Sequence, residues 1–232
     1  MKAKLVVLTG AGISAESGIK TFRDAGGLWE GHNVMEVASI EGWYNNYPLV
    51  LDFYNQRRKQ LLNSEPNMGH LILKELERYF DVCIITQNVD DLHERAGSNN
   101  ILHLHGELLK SRSTSDSSLI YTCTQDILPG DVCEKGSQLR PHIVWFGEEV
   151  PLIPLAINKI RNADLVIIVG TSLQVYPAAG LVAYVKPLTK IYYVDPKPSL
   201  NYEISKHKSL EIIQEIASRG LEIIFQRITQ KN

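Results

Sequence analysis

The chain has 232 residues, of which 44% are hydrophobic, and this length is sufficient for one large α/β domain with a buried core. Its 24 basic and 26 acidic residues give a formal net charge of −2, which excludes a bulk electrostatic field that would attract nucleic acid or an anionic membrane. The 3 cysteines form no Cys-x-x-Cys pair, so we expect a cytoplasmic protein without disulfides. No apolar run approaches the roughly 20 residues of a membrane span, and we expect no membrane contact.

Short apolar runs bounded by turn residues predict buried parallel strands. These runs are Leu5–Leu8, Val82–Thr86, Leu165–Val169 and Ile191–Val194, with Leu221–Phe225 as a fifth candidate. Helices are predicted between them at Val50–Leu62, His70–Phe80, Leu155–Arg161, Ala178–Val185 and Leu210–Ser218. The alternation predicts an α/β fold with a Rossmann-like, doubly wound parallel sheet, whose functional residues follow the carboxyl ends of the strands.

Two intervals interrupt this alternation within what we predict to be a single domain over residues 1–232. Residues 21–50 are rich in Gly, Asn and aromatic side chains and predict a long cofactor loop with irregular helices. Residues 110–140 are polar and without a clear period, which predicts a small inserted module outside the main sheet.

The first predicted strand is followed directly by GAGISA, which fits the G-x-G-x-x-A pattern with Gly10, Gly12 and Ala15. In such a turn the glycines allow a tight bend and a close approach to a pyrophosphate, and the following helix supplies N–H groups to the anion. A dehydrogenase would continue to a second strand with an acidic residue about 20 positions later. Such a strand is missing here, so a dinucleotide is expected but hydride transfer is not indicated.

The later strands also end in polar residues. TQNVD follows the second strand with Gln87, Asn88 and Asp90, and HLHGEL comes soon after with His103 and His105. Amides and a carboxylate can bind a ribose and a carboxamide, and a histidine suits general-base catalysis, although capped turns and packed histidines would give the same pattern. A third strand ends in GTS, Gly170 to Ser172, which can hydrogen-bond a phosphate or a ribose.

In this order and spacing, the segments GAGISAESGIKTFRD, TQNVD, HLHGEL, RPHIVWFGE and GTSLQVYPAA resemble the sirtuins, the NAD-dependent protein-lysine deacylases. The resemblance runs from about Leu5 to Asp195. It implies that NAD is consumed as a co-substrate and that His105 is the general base, with Asn88 and Asp90 as further catalytic residues. The implied cofactor-binding residues are Gly10, Ala11, Gly12, Ser14, Ala15, Phe22, Arg23, Trp29, Gln87, Asn88, Asp90, Gly170, Thr171, Ser172, Asp195 and Ala217.

The implied partner is a protein or peptide with an acylated lysine, which is expected to lie as an added strand between IVWFGE and LQVYP. The resemblance implies that four residues contact this peptide: Val144, Phe146, Gly147 and Val175. The acyl oxygen would attack the ribose, nicotinamide would leave, and 2′-O-acyl-ADP-ribose would be the product. General deacetylation, or NAD hydrolysis or ADP-ribosyl transfer on the same fold, are the alternatives to this activity.

The stretch FYNQRR raises the question of whether an arginine contacts substrate or only solvent. In sirtuins specialised for acidic acyl groups, a tyrosine and an arginine three residues later line the acyl-lysine pocket, and Tyr54 and Arg57 match them. The resemblance therefore implies a preference for succinyl and malonyl over acetyl, because a guanidinium and a phenol can bind the distal carboxylate. Arg58 and Lys59 are expected on the solvent face of the helix.

The chain departs from the family at two places. Most sirtuins hold a structural zinc ion with four cysteines, whereas this interval has only Cys123 and Cys133, and Ser113 replaces an expected cysteine. Because two thiolates do not make a closed four-ligand site, we predict that no zinc is bound. Near the adenosine end, Tyr193 and Glu215 stand where asparagine and glycine are common in the family.

Overall fold

The computed structural model describes residues 2–20, the backbone of residues 28–29, and residues 31–230. Phe22, Arg23 and the side chain of Trp29 therefore lie outside the described residues. The strands are β1 (Lys4–Thr9), β2 (Leu28–Trp29), β3 (His32–Asn33), β4 (Asp81–Thr86), β5 (Ile101–His103), β6 (Gly106–Ser113), β7 (Ile120–Thr122), β8 (Leu139–Ile143), β9 (Leu165–Val169), β10 (Lys190–Val194) and β11 (Leu210–Ile213). The α-helices are α1 (Val34–Val37), α2 (Ile40–Leu62), α3 (Met68–Leu76), α4 (Leu92–Arg95), α5 (Ile153–Arg161), α6 (Tyr202–Ser205) and α7 (Ala217–Thr229).

The main sheet has six strands in the order β11-β10-β9-β1-β4-β5, and all of its pairs are parallel. The chain moves outward from β1 to β5 in one direction and then from β9 to β11 in the other. This is the strand order of a doubly wound Rossmann-like sheet, so the predicted fold class is confirmed. The order reverses between β1 and β9, where a crevice forms beyond the carboxyl ends of both strands.

The two faces of the sheet contact different apolar cores. Val6 and Leu8 of β1 point to the face covered by α5 and the 3₁₀ segment Ala178–Tyr184. Leu5 and Val7 alternate to the opposite face, which α3 and α7 cover. A central strand buried on both faces explains why LVVL is apolar throughout.

Two predicted elements at the C-terminal end were wrong. Leu210–Ile213 is a strand paired with β10, not the start of a helix, and Leu221–Phe225 lies inside α7. The apolar run LEIIF satisfies the composition of a strand, but Ala217, Leu221 and Ile224 recur at helical spacing and are all buried. Packing of this apolar stripe against the main sheet therefore favours the helix.

A second, three-stranded antiparallel sheet with the order β7-β6-β8 lies beside the main sheet. Helix α2 packs on it through an apolar cluster that includes Phe53, Tyr54 and Trp145. The helix begins at Ile40, earlier than predicted, and Asn46 interrupts it with a non-helical backbone just before Pro48.

The prediction that Arg58 faces solvent was wrong, since this side chain is 1% exposed. Its Nε donates to the carbonyl of Leu108 at 3.2 Å and its Nη1 to Asn55 Oδ1 at 2.8 Å. Asn55 in turn exchanges two hydrogen bonds of 2.9 Å with the backbone of Ile127. Arg58 therefore links α2 to the second sheet, whereas Lys59 is exposed as expected and pairs with Asp126.

Among the described residues, no helix is both long enough and apolar enough to cross a membrane.

Candidate active site

A cavity of about 860 Å³ lies beyond the carboxyl ends of the main-sheet strands, between that sheet and the second sheet. Every predicted site residue whose side chain the structure describes lines it. They are Gly10, Ala11, Gly12, Ser14, Ala15, Tyr54, Arg57, Gln87, Asn88, Asp90, His105, Val144, Phe146, Gly147, Gly170, Thr171, Ser172, Val175, Asp195 and Ala217. Residues predicted from distant parts of the chain thus meet in one place.

One side of the cavity is formed by two turns in contact, residues 10–15 after β1 and residues 170–172 after β9, which we call the glycine wall. The amide of Gly12 donates to the carbonyl of Gly170 at 2.8 Å. A Cβ on Gly12 would lie 2.6 Å from the Cα of Gly170, and a Cβ on Gly170 would lie 2.3 Å from the amide nitrogen of Ile13. Gly170 also has φ +65°, so glycine is required there for both space and conformation.

The polar residues after β4 are hydrogen-bonded to the glycine wall. Asn88 Nδ2 donates to the carbonyl of Gly10 and to Ser14 Oγ, both at 3.1 Å, and Ser14 Oγ donates to Asp90 Oδ2 at 2.8 Å. Burial raises the pKa of Asp90, while the Ser14 hydrogen bond opposes this rise. These bonds fix the amide and the carboxyl group at the cavity surface.

His105 lies where the two sheets meet. Its Nδ1 is 3.0 Å from the carbonyl oxygen of Gln87, and because a carbonyl can only accept, Nδ1 carries the hydrogen. The neutral ring then has a free electron pair on Nε2. Burial lowers the pKa of His105, and the bond to Gln87 only partly offsets this, so the imidazole stays neutral at pH 7 and can act as a base.

The opposite side of the cavity, which we call the aromatic wall, consists of Tyr54 and Arg57 of α2 and of residues 144–147 after β8. Tyr54 is 1% exposed and Arg57 is 7% exposed. Their spacing of three residues places both side chains on the same face of α2, toward the cavity. Burial raises the pKa of the Tyr54 phenol, which keeps its hydrogen.

The rim of the aromatic wall is continuous with the backbone around His105. The amide of Val144 donates to the carbonyl of His105 at 2.9 Å, and the backbone of Phe146 forms a parallel bridge with Ser39. Phe146 is 38% exposed, and Tyr176, on the segment that carries Val175, is 57% exposed. Two exposed aromatic residues therefore line the cavity.

Sequence reasoning missed several residues at the cavity. Trp145 lines it between Val144 and Phe146, and its position in the segment RPHIVWFGE was the only available signal. Tyr193 was noted only as a departure, yet its buried hydroxyl donates to the carbonyl of Thr171 at 2.8 Å. This hydrogen bond therefore helps to hold the backbone of the glycine wall in place. Lys197 also lines the cavity, after Asp195.

Cys123 and Cys133 lie between β7 and β8, and neither belongs to a group of three potential metal ligands among the residues that the structure describes. Cys133 Sγ contacts Ser113 Oγ at 3.3 Å, whereas the thiol of Cys123 donates to the carbonyl of Gln125 at 3.4 Å. In the described part of the chain, the one group of three or more potential metal ligands is Glu94, His103 and Glu107, without a cysteine. The residues present therefore do not fit the four-ligand site of most sirtuins.

The comparisons with known proteins agree with this geometry. The model of the Sir2 family matches residues 10–177. An NAD-dependent protein deacylase of Helicobacter pylori strain 26695 is 63% identical over 224 residues, covering 94% of this chain and 98% of that protein. The protein of the same name from Bacteroides thetaiotaomicron is 51% identical over 228 residues, covering 96% of each chain.

Solved structures match over almost the whole chain. A Sir2 homologue in complex with NAD superimposes with a TM-score of 0.87 at 36% identity, covering 99% of this chain and 91% of that chain. Sir2 bound to an acetylated peptide gives a TM-score of 0.80 at 28% identity, covering 97% of this chain and 93% of that chain. The family match and the extensive identity show that this chain belongs to the Sir2 family of NAD-dependent protein deacylases.

Proposed function

We propose that the protein removes acyl groups from protein lysine side chains with consumption of NAD, and that it prefers succinyl and malonyl over acetyl groups. The observation that carries the preference is the presence of Tyr54 and Arg57 in the same cavity as His105 and the glycine wall. NAD and the acylated lysine would then meet at His105.

The glycine wall suits the pyrophosphate of NAD, because its backbone comes to the surface without side chains in the way. Ala217 begins the 13-residue helix α7 at the far end of the cavity, where a helix N-terminus favours negative charge. Gln87 and Asn88 would bind the nicotinamide ribose and Asp90 the carboxamide. Bound NAD supplies an electrophilic ribose carbon from which nicotinamide can leave.

His105 would remove a proton from a ribose hydroxyl through its free Nε2. The hydrogen bond from Nδ1 to Gln87 fixes the tautomer and holds the ring in place. The transferred acyl group would leave as 2′-O-acyl-ADP-ribose. NAD hydrolysis would give ADP-ribose without the acyl ester, so the product separates the two reactions.

The aromatic wall provides the acyl selectivity in this proposal. Arg57 is 7% exposed, and its guanidinium can form charge-assisted hydrogen bonds with a carboxylate but not with a methyl group. Tyr54 would add a hydrogen bond to the same carboxylate. Acetyl-lysine offers neither side chain a charged partner, so it should react more slowly.

The peptide backbone would lie between residues 144–147 and the segment that carries Val175. Val144, Phe146, Gly147 and Val175 all line the cavity, and extended peptides commonly bind exposed backbone edges through main-chain hydrogen bonds. The similar Sir2 structure bound to an acetylated peptide supports an acylated peptide as the ligand. We expect a loose preference for peptide sequence.

The decisive experiment is a mass-spectrometric time course with NAD and peptides that differ only in acetyl, malonyl or succinyl on one lysine. We expect faster removal of the acidic groups and formation of 2′-O-acyl-ADP-ribose. His105→Ala should lower turnover of all three peptides by about 10²–10⁴-fold, the range for loss of a general base. Deacetylation at an equal or higher rate would reject the acyl preference. NAD cleavage without peptide deacylation would reject the deacylase itself.

A further inference from the structure

Trp145 is a buried member of the aromatic wall and contacts Tyr54 directly. It is 2% exposed, and its indole Nε1 donates a hydrogen bond to the Tyr54 hydroxyl at 2.9 Å. An indole N–H can only donate, so the phenol oxygen must accept in this pair. The single phenol hydrogen then remains for another acceptor, and no described residue accepts it.

The indole ring is held from its other side by an ion pair. The Arg140 guanidinium lies 3.4 Å from the ring centroid of Trp145, and the backbone amide of Trp145 donates to Glu148 Oε2 at 2.8 Å. Arg140 binds both oxygens of Glu148, at 2.7 and 2.9 Å, and Arg112 contacts the same carboxylate at 3.2 Å. Such a two-point pair with low exposure is rigid, so it fixes the ring on which it stacks.

We propose that Trp145 is a positioning residue for acyl selectivity, because its indole N–H forces the Tyr54 hydroxyl to donate its hydrogen to the carboxylate of an acidic acyl group. This inference rests on the proposed function. A carboxylate can only accept hydrogen bonds, whereas the methyl group of acetyl can neither accept nor donate. The indole therefore favours acidic acyl groups through Tyr54, without itself carrying a charge.

A double-mutant cycle tests whether Trp145 acts through the Tyr54 hydroxyl. Trp145→Phe keeps an aromatic ring but deletes the N–H, and Tyr54→Phe deletes the hydroxyl on which it acts. We expect Trp145→Phe to lower the ratio of desuccinylation to deacetylation kcat/KM by roughly three- to tenfold, as expected for one orienting hydrogen bond. The loss should lie mainly in KM for the succinyl peptide, because the carboxylate is bound in the ground state as well as the transition state.

The second half of the cycle distinguishes positioning from packing. In the Tyr54→Phe background, Trp145→Phe should leave the ratio unchanged, because the hydroxyl is already absent. Trp43→Phe is the matched control, since this ring packs 5.4 Å from Trp145 without a hydrogen bond to Tyr54, and it should leave the ratio at the wild-type value. If Trp145→Phe fails to fold, benzothienylalanine at position 145 deletes the N–H while keeping the bicyclic shape.

The outcomes separate this inference from the proposed function. A wild-type protein without preference for succinyl would reject the proposed function and this inference with it. A clear wild-type preference that survives Trp145→Phe, or that falls equally in the presence and absence of the Tyr54 hydroxyl, would reject the role of Trp145 alone.

Discussion

The glycine wall and the aromatic wall face each other across one cavity but are built in different ways. The glycine wall consists of backbone turns in contact, where an added Cβ on Gly170 would lie 2.3 Å from a neighbouring backbone nitrogen. The aromatic wall consists of side chains from separate elements, joined by hydrogen bonds such as that between Trp145 and Tyr54. The glycine wall should therefore tolerate almost no substitution. In the aromatic wall, substitution of one side chain can change which acyl group is bound.

The largest effect is expected from a substitution in the glycine wall. Gly170→Ala and Gly18→Ala introduce the same methyl group at φ +65° and +83°, but nothing lies within 4 Å of the Cβ position at Gly18. We expect Gly18→Ala to lower the free energy of unfolding by about 1–2 kcal/mol, the cost of the backbone conformation. Gly170→Ala should lower it by about 1–3 kcal/mol more, because the methyl group overpacks the wall.

Chemical denaturation of both variants measures this difference, and calorimetric titration with NAD shows whether Gly170→Ala also loses binding. Equal destabilisation by the two substitutions would mean that the two turns separate easily, and the contrast between the walls would then be false.

The next effect concerns selectivity at the aromatic wall. Arg57→Met should reduce kcat/KM for desuccinylation relative to deacetylation by roughly ten- to a hundredfold, because only the succinyl group loses a charged hydrogen bond. Lys59→Met is a suitable control, since this lysine lies on the same helix with its side chain 63% exposed. Parallel loss of both activities in Arg57→Met would show that the arginine supports the fold rather than the acyl group.

A smaller effect is expected from a change of pH, through the protonation of His105. Burial lowers the pKa of His105 below the ordinary value of 6.5, so the neutral ring persists as the pH falls from 8 to 6.5. Activity that depends on this base should be flat over that range and should decrease only as the pH falls through the lowered pKa. NMR titration of the histidine ring protons, with His105→Ala to assign the signal, gives the midpoint directly. A midpoint above 6.5 would contradict the proposed base.

The smallest effect is expected at the second sheet. If its residues hold no zinc, protein purified without added metal should contain far less than one zinc ion per chain, and a chelator should leave the melting temperature unchanged. Elemental analysis and thermal unfolding test both statements. One zinc ion per chain would show that ligands other than Cys123 and Cys133 complete a site.

The amino-acid sequence determined the glycine wall, because parallel strands bring their carboxyl ends to one edge and polar residues that follow several strands must then lie close together. For this reason Gly10, Asn88 and Thr171 were predicted from local patterns, and all of them line the cavity. Tyr54 and Arg57 were found only through the resemblance to sirtuins, since their helix alone fits a solvated face equally well.

Tertiary structure alone decided the features that depend on distant partners. Arg58 is buried because Leu108 and Asn55 accept its hydrogen bonds, and Trp145 acts on Tyr54 across 91 positions of the chain. The two wrong predictions near the C-terminus have the same origin. Leu210–Ile213 is a strand because it pairs with the edge of β10, and α7 is a helix because it packs on a face of the main sheet. Local patterns record which groups are apolar or polar, but the burial and pairing of each group depend on contacts that form only when remote segments meet.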